Sequence, residues 1–277
     1  MKIRKLRAEI TSMLSPSAEA STDASVLIMK VLGINKTQLI LGDAEVSDSA
    51  YREILGYAAR VAGGEPVQYV VGECEFMSLR FKVKNGVLIP RADTEILVEA
   101  VISRLNSQKN PLIYDLCCGS GCIGISLAKY IDDASVFLAD ISPVALDVSK
   151  QNAELCGVSD RVTVISADVT KDVISDAANC IVSNPPYIKT DVLCTLDKKV
   201  RDFEPRLALD GGGDGLDFYR RIIKTAVLKD GGLLAFEIGY DQGAEVSALM
   251  KNGGYRNVEI IRDIENRDRV VLGYKML

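Results

Sequence analysis

From residue 96 onward, short apolar runs alternate with segments of helical periodicity. Each apolar run ends near a glycine, an aspartate or an asparagine. This alternation is typical of βαβ units, and it predicts a mostly parallel, doubly wound α/β sheet. The predicted strands are Pro111–Leu116, Ser135–Asp140, Val162–Ala167, Asn179–Ser183, Leu233–Ile238, Val258–Ile264 and Arg269–Met276. The predicted helices between them include Ile123–Tyr130, Pro143–Cys156 and Asp217–Val227.

The N-terminal part of the sequence has helical periodicity without intervening strands. Val26–Ile28 and Val31–Leu32 form an apolar stripe at helical spacing, and Gly33 follows as a stop signal. A second helix is predicted over Ser47–Val61, which ends at the glycine pair Gly63-Gly64. These segments predict a small helical domain.

A β-hairpin is predicted where the hydrophobic period changes. Phe76–Lys84 and Val87–Pro90 flank Asn85-Gly86, a dipeptide favoured in hairpin turns because both positions need a positive φ. We therefore expect the hairpin to link two domains. The predicted boundaries are 1–75 for the helical domain, 76–92 for the linker and 93–277 for the larger α/β domain.

The chain has no histidine among its 277 residues. This excludes Ser-His-Asp and Cys-His machinery, His-ligated zinc and an imidazole general base. Its chemistry must therefore use other side chains or a bound cofactor. The net charge of −5 argues against a protein that coats nucleic acid, because neutralising phosphates requires a surplus of Lys and Arg.

The seven cysteines do not suggest disulfides or a metal site. Their number is odd, and they fit reduced thiols in the cytoplasm. Cys117, Cys118 and Cys122 lack the paired spacing of a structural zinc site, so we expect them to be packing residues and expect no metal. The longest uncharged run, Leu116–Ala128, has 13 residues and is too short to span a membrane.

A glycine-rich turn follows the first predicted strand of the α/β domain. Such a turn lets the backbone approach a ligand at a helix N-terminus, and Asp140 at the end of the next strand is placed to accept hydrogen bonds from ribose hydroxyls. We therefore predict a nucleoside cofactor. The predicted cofactor-binding residues of the turn are Asp115, Cys117, Cys118, Gly119, Ser120 and Gly121.

An NAD-type dehydrogenase is the first alternative for this turn. Gly119, Gly121 and Gly124 satisfy the spacing G-x-G-x-x-G. Asp115 weighs against that alternative, because a carboxylate suits a cationic amino-acid moiety and is unfavourable beside a pyrophosphate. A dehydrogenase also gives no reason for the motif that follows.

That motif is Asn184-Pro185-Pro186-Tyr187, directly after a predicted apolar strand. The two prolines fix φ and remove two donors, so the turn is rigid and presents the Asn184 side-chain oxygen and the Pro185 carbonyl as acceptors. Tyr187 adds a flat face. Such a turn suits a planar –NH₂ group, so we predict that Asn184, Pro185, Pro186 and Tyr187 bind the substrate, that Asn184, Pro185 and Tyr187 are catalytic, and that Asn184 also contacts the cofactor.

Together these motifs resemble those of amino-methylating, S-adenosylmethionine-dependent methyltransferases, and the sequence as a whole resembles the HemK/PrmC family. The resemblance implies S-adenosyl-L-methionine as cofactor, and as activity the methylation of the side-chain amide of the Gly-Gly-Gln glutamine in peptide chain release factors. It also implies an N-terminal helical domain, a β-hairpin linker and a Rossmann-like catalytic domain. Further matching segments are Gly64–Tyr69, Gly72 with Phe76, Ile89–Glu95, Phe203–Pro205, Ala208–Gly212, Asp214–Leu216 and Asp268–Val271.

The chain departs from the family pattern in the glycine turn. Cys117 stands where the family has its first glycine, and Cys118 stands where a threonine is usual. Both residues are small, so we expect the turn to keep its shape. Asp168 and Val169, after the third strand, are predicted to border the adenine, although an ordinary strand-end aspartate is an equal alternative. Glu204 and Glu237 are interpreted as solvated or structural carboxylates rather than buried general bases.

Other functions share parts of this pattern. A ribosomal-protein glutamine methyltransferase or a DNA adenine methyltransferase would also carry Asn-Pro-Pro-Tyr, but the acidic balance argues against DNA. A non-catalytic cofactor-binding module would not need an amine-orienting turn. We expect a cytoplasmic monomer whose partners are release factors, which the helical domain binds, with no direct nucleic-acid or membrane contact.

Overall fold

The computed structural model describes residues 1–172 and 177–276, which form two compact units. The first unit contains Met1–Glu73 together with Asp197–Phe203, and the second contains Cys74–Leu196 together with Glu204–Leu277. The sequence predicts residues 197–203 in the larger domain, but they belong to the first unit. In the described part of the chain, no helix combines the length and the apolar character needed to cross a bilayer.

The first unit is helical, as the sequence predicts. In α1, the side chains of Ile3, Leu6 and Ile10 recur at helical spacing and are buried against apolar side chains of the following helices. The later segment joins this unit through Lys199, whose Nζ lies 2.9 Å from Glu19 Oε2. The helices are α1 (Ile3–Leu14), α2 (Ala20–Leu32), α3 (Lys36–Leu41), α4 (Asp48–Ala62), α5 (Val67–Val71) and a short later helix (Lys198–Phe203).

The β-hairpin is present, but it lies earlier in the chain than predicted. Its strands are β1 (Glu73–Phe76) and β2 (Leu79–Lys82). Met77 and Ser78 form the tight turn with φ values of 49° and 57°. Asn85-Gly86 also forms a turn, but no strand follows it. The predicted hairpin across Asn85-Gly86 is therefore wrong.

Tertiary contacts explain the difference. The Met77 N–H donates to Glu95 Oε1 at 2.6 Å, and the Tyr130 hydroxyl donates to the Met77 carbonyl at 2.5 Å. These two bonds support a left-handed turn at residues that do not favour it. The apolar residues Val87 and Ile89 alternate in the sequence because both side chains are buried. The segment that contains them is not a strand.

The second unit is built around a seven-stranded sheet, and the predicted doubly wound α/β fold is confirmed. The first five strands in spatial order are parallel, whereas β9 is antiparallel to both its neighbours. The spatial order is β5-β4-β3-β6-β7-β9-β8. The strands are β3 (Leu112–Leu116), β4 (Ser135–Asp140), β5 (Val162–Ser166), β6 (Ala178–Ser183), β7 (Leu228–Glu237), β8 (Tyr255–Arg262) and β9 (Asp268–Lys275).

Helices of the second unit complete two apolar cores. One core contains Leu97, Ile125 and Leu138, and the other contains Tyr219 and Phe236, whose rings meet edge to face with centroids 5.2 Å apart. The helices are α6 (Ala92–Leu105), α7 (Cys122–Tyr130), α8 (Pro143–Leu155), α9 (Asp217–Thr225) and α10 (Gly243–Asn252).

The strand order reverses at β3. The chain proceeds from β3 to β4 and β5 on one side of β3, and then returns to place β6 on the other side. In doubly wound folds, ligands bind beyond the carboxyl ends of the strands at such a reversal. The residues after β3, β4, β5 and β6 therefore lie where a ligand is expected.

Gly124 allows α7 to pack closely against the sheet, and Gly124→Ala should disrupt this contact. An added Cβ would lie 2.3 Å from Leu138 Cδ2 and 3.0 Å from Asp115 Cβ. We expect the free energy of unfolding to fall by about 1–3 kcal/mol, measured by urea denaturation. Gly213→Ala is the control, because a Cβ there meets no atom within 4 Å. Equal stability of the two variants would contradict this packing role.

Candidate active site

The glycine turn after β3 has a left-handed backbone at three of its residues. The φ values of Cys117, Gly119 and Gly121 are 58°, 54° and 78°. Cys117 thus adopts a conformation that usually selects glycine. A left-handed conformation costs a side-chain-bearing residue about 1–2 kcal/mol.

The three glycines of this segment have different roles. A Cβ on Gly119 would meet no atom within 4 Å, so its backbone borders open space. A Cβ on Gly121 would lie 2.9 Å from Ile125 Cδ1, and one on Gly124 would clash with Leu138. Gly119 therefore leaves room for a ligand, whereas Gly121 and Gly124 allow the helix to pack.

Asp140 fixes the shape of the turn from the end of the neighbouring strand. Its two carboxylate oxygens accept from the backbone N–H groups of Gly119 and Ser142, each at 2.9 Å. Burial raises the pKa of Asp140, and the backbone hydrogen bonds partly offset this effect. The backbone N–H of Ile141 also donates to this carboxylate. Its two oxygens together offer about four acceptor sites, so the carboxylate can still accept from a ligand hydroxyl.

Asp115 lies beneath the turn and is fully buried. Its Oδ2 accepts from the Gly124 N–H at 2.9 Å, and its Oδ1 has no hydrogen-bond partner among the described residues. Burial raises its pKa to about 7, against the lowering effect of the Gly124 bond. In the structure Asp115 links β3 to α7, and its contact with a cofactor stays a prediction.

A cavity of about 250 Å³ opens beside the turn, within the second unit. It brings together predicted residues from the carboxyl ends of four strands, namely Cys117, Gly119, Asp140, Asp168, Val169, Asn184 and Pro186. Other predicted residues lie outside its lining in the described part of the chain, namely Asp115, Cys118, Ser120, Gly121, Pro185 and Tyr187. The remaining lining was not predicted from the sequence, and it includes Gly86–Leu88, Ile141, Ser142, Ala145, Ala167, Thr170, Pro205, Leu207, Ala208 and Phe218.

Asp168 enters the cavity lining as an ionised carboxylate. Hydrogen bonds from Lys171 and Thr170 lower its pKa to about 2. Its Oδ1 accepts from the Thr170 hydroxyl at 2.6 Å, and its Oδ2 lies 2.8 Å from Lys171 Nζ. Local partners thus occupy both oxygens, and the neighbouring Val169 gives this wall of the cavity an apolar surface.

The Asn184-Pro185-Pro186-Tyr187 turn follows β6 directly. The Ser183 hydroxyl donates to the Leu116 carbonyl at 2.6 Å, which ties the ends of β6 and β3 together. Asn184 lines the cavity, and its Nδ2 donates to Thr94 Oγ1 at 3.4 Å. The Tyr187 hydroxyl donates to Glu237 Oε1 at 3.3 Å. The turn is therefore held at both ends.

The backbone of Tyr187 is enclosed by residues from later in the chain. A Cβ on Gly211 would lie 2.6 Å from Tyr187 Cα, and a Cβ on Gly215 would lie 2.4 Å from its carbonyl oxygen. Buried Gln242 donates from Nε2 to the Tyr187 carbonyl at 3.0 Å. The two glycines belong to segments that the resemblance had singled out, whereas Gln242 carried no sequence signal.

Glu237 and Glu204 are both buried, and each has a partner. Glu237 accepts from the Thr94 hydroxyl at 2.5 Å, and burial raises its pKa to about 7. Glu204 lies 2.5 Å from the Arg91 guanidinium, and burial raises its pKa although Arg91 opposes this effect. Neither carboxylate lines the cavity among the described residues, and both are buried. Of the two interpretations offered by the sequence, a solvated or a structural carboxylate, their burial favours the structural one.

The cysteines around the turn have the environment of packing residues. Burial raises the pKa of the Cys117, Cys118 and Cys122 thiols, so they are neutral at neutral pH. Over residues 1–172 and 177–276, no group of His, Cys, Asp or Glu side chains is arranged to hold a metal ion.

Comparisons with known proteins agree with this architecture. Residues 82–200 match the family described as Methyltransferase small domain, and residues 5–72 match the PrmC N-terminal domain. The chain also has a structural counterpart in a methyltransferase from Pyrococcus furiosus, with a TM-score of 0.53 and 13% identity. That similarity covers 73% of this chain and 91% of the other, and it concerns the fold alone.

Two sequence relatives cover nearly the whole chain. The release factor glutamine methyltransferase of Clostridium acetobutylicum is 42% identical over 258 residues, which is 91% of this chain and 90% of the relative. That of Moorella thermoacetica is 44% identical over 257 residues, with 91% and 90% covered. Identity at this level over both units shows that the chain belongs to the family of release factor glutamine methyltransferases.

Proposed function

We propose that the protein transfers a methyl group from S-adenosyl-L-methionine to the side-chain amide nitrogen of the glutamine in the Gly-Gly-Gln motif of peptide chain release factors. One observation carries the proposal: Asn184 lines the cavity beside the glycine turn and also begins the rigid Asn-Pro-Pro-Tyr turn. A single residue can thus face both the methyl donor and the accepting nitrogen. The activity named for the sequence relatives is of the same kind.

The cavity has the donor and acceptor chemistry that S-adenosyl-L-methionine needs. Open space beside Gly119 accommodates a ligand close to the backbone, and Asp140 retains acceptor sites for ribose hydroxyls. Val169, Leu207 and Phe218 supply apolar surface for a flat base. When bound, this cofactor supplies an electrophilic methyl group.

The residues of the turn hold the accepting amide. Asn184 Oδ1 and the Pro185 carbonyl accept hydrogen bonds from the two N–H groups of the substrate amide. The Tyr187 ring packs against the plane of that amide. An amide nitrogen is a poor nucleophile because its lone pair is delocalised, so orientation supplies much of the barrier reduction. Without histidine, proton removal is left until after transfer, when the nitrogen is strongly acidic and water can accept the proton.

The helical unit is proposed to hold the protein substrate away from the reacting glutamine. It has its own apolar core, and α3 exposes Ile40 and Leu41 at 65% and 60% of their surface. Such exposed apolar side chains suit contact with a protein. We further propose that the enzyme works as a cytoplasmic monomer, and its net charge of −5 supports a protein substrate over a nucleic acid.

Removal of the Asp140 carboxylate should weaken cofactor binding. We expect Asp140→Ala to cost about 1–3 kcal/mol of S-adenosyl-L-methionine affinity, because charge-assisted hydrogen bonds to the ribose are lost. Isothermal calorimetry measures this, and Asp132→Ala, at an exposed position of the same unit, is the control. Tight binding of NADH without binding of S-adenosyl-L-methionine would refute the cofactor assignment.

The amide acceptor should matter for transfer more than for cofactor binding. We expect Asn184→Ala to lower the single-turnover rate of release factor methylation by about 10²-fold or more, because its hydrogen bond is realised mainly in the transition state. Cofactor affinity should stay within about threefold. Asn106→Ala, at the exposed end of α6, controls for loss of an amide. A wild-type rate in Asn184→Ala would reduce Asn184 to a turn residue.

The exposed apolar side chains of α3 should contribute to binding of the intact release factor but not to binding of a short peptide. We expect the double variant Ile40→Ser and Leu41→Ser to raise KM for the whole release factor roughly five- to tenfold, through lost apolar contact. Turnover of a short Gly-Gly-Gln peptide should not change. Ile264→Ser, at a fully exposed position of the second unit, is the matched control. Equal effects on protein and peptide would contradict a docking role.

A further inference from the structure

The Glu237 carboxylate is a buried acceptor shared by two hydroxyl groups. It ends β7, and its Oε2 accepts from the Thr94 hydroxyl at 2.5 Å. Its Oε1 accepts from the Tyr187 hydroxyl at 3.3 Å. An ionised carboxylate can only accept hydrogen bonds, so both hydroxyl hydrogens point toward Glu237. One side chain thus fixes the direction of two hydrogen bonds.

This direction determines how Asn184 is oriented. The only hydrogen of the Thr94 hydroxyl is committed to Glu237, so toward Asn184 the Thr94 oxygen can only accept. The carboxamide must therefore turn its Nδ2 toward Thr94, at 3.4 Å. In the flipped orientation, two oxygen acceptors would face each other without a hydrogen between them. This relay of hydrogen bonds, from Asn184 to Thr94 and from Thr94 to Glu237, thereby excludes the flipped orientation.

We infer that Thr94 and Glu237 are positioning residues, which hold the Asn184 carboxamide with Oδ1 free to accept from the substrate –NH₂ and which fix the Tyr187 ring through its hydroxyl. The inference rests on the proposed function and adds the residues that set the polarity of its acceptor. Neither residue touches the substrate in this account. Both act through Asn184 and Tyr187.

The surroundings of Glu237 set the conditions under which the relay holds. From β9, Arg269 favours the ionised carboxylate, and Arg269 itself is paired with Asp93 and Asp263. From α6, Asp93 opposes ionisation, and from α7 the neutral Cys122 thiol lies nearby. Burial is the largest effect and raises the pKa of Glu237 to about 7. A protonated Glu237 would carry a donor on one of its two oxygens, so it could no longer accept from both Thr94 and Tyr187 as it does here. At least one of the two hydrogen bonds would then have to reverse or break.

Substitutions at Thr94 separate the hydroxyl from the shape of the side chain. Thr94→Val keeps the shape and removes the relay, so we expect the single-turnover methylation rate to fall about 10–30-fold with cofactor affinity within twofold. Thr94→Ser keeps the hydroxyl and should stay within about threefold of wild type. Thr163→Val, at an exposed position on β5, is the matched control. Equal rates for Thr94→Val and Thr163→Val would overturn the inference.

The pH profile tests the carboxylate directly. The wild-type single-turnover rate should decline as pH falls through about 7, because protonation turns one of the two acceptor oxygens of Glu237 into a donor. Glu237→Gln should react about tenfold or more slowly at pH 8, and its rate should not change across this range. Glu99→Gln, at an exposed position on α6, should keep the wild-type profile. A Glu237→Gln profile that parallels the wild type would overturn the role of Glu237.

A measurement without substrate separates this inference from the proposed function. In ¹⁵N-asparagine-labelled protein, the side-chain –NH₂ signals of Asn184, assigned by their loss in Asn184→Ala, should shift in Thr94→Val and stay unchanged in Thr163→Val. Unchanged signals in Thr94→Val would overturn the relay whatever the substrate is. If the signals shift in Thr94→Val but the wild-type protein does not methylate release factors, the relay would be supported and the proposed function refuted.

Discussion

The parallel pairing of β3 with β6 is the interaction on which the site depends. Leu116 at the end of β3 is in register with Ser183 at the end of β6, and the Ser183 hydroxyl bonds the Leu116 carbonyl. The next residues, Cys117 and Asn184, therefore leave the sheet side by side and line the same cavity. A change of this register by one residue would turn the side chains of one strand to the other face. The methyl donor and its acceptor would then no longer share a wall.

The second constraint is the burial of two carboxylates, Asp115 and Glu237, each of which accepts hydrogen bonds from neighbouring groups. Asp115 and Glu237 both lie in surroundings that raise their pKa to about 7. Asp115 is tied to the Gly124 N–H, and Glu237 accepts from two hydroxyls. Burying a carboxylate is costly unless it is hydrogen-bonded. The hydrogen bonds that these carboxylates accept fix the direction of the donating groups. We therefore assign the two carboxylates to positioning rather than to proton removal.

The sequence predicts the fold and the segments of the site well, because both follow from local signals. Apolar runs that alternate with helical segments predict the parallel sheet. The resemblance of the motifs to a known family predicts the activity. The hairpin was misplaced because the Met77-Ser78 turn is held by Glu95 and Tyr130, which no local pattern reveals. The roles of Thr94 and Gln242 also depend on bonds between distant segments, so they needed the structure.

The most direct test of this account is to locate the transferred methyl group. Release factor incubated with the protein and S-adenosyl-L-methionine carrying a labelled methyl group would be digested and sequenced by tandem mass spectrometry. The account predicts one methyl group on the side-chain nitrogen of the Gly-Gly-Gln glutamine and none on a variant release factor with glutamate at that position. A label on any other residue, or equal labelling of the glutamate variant, would contradict it.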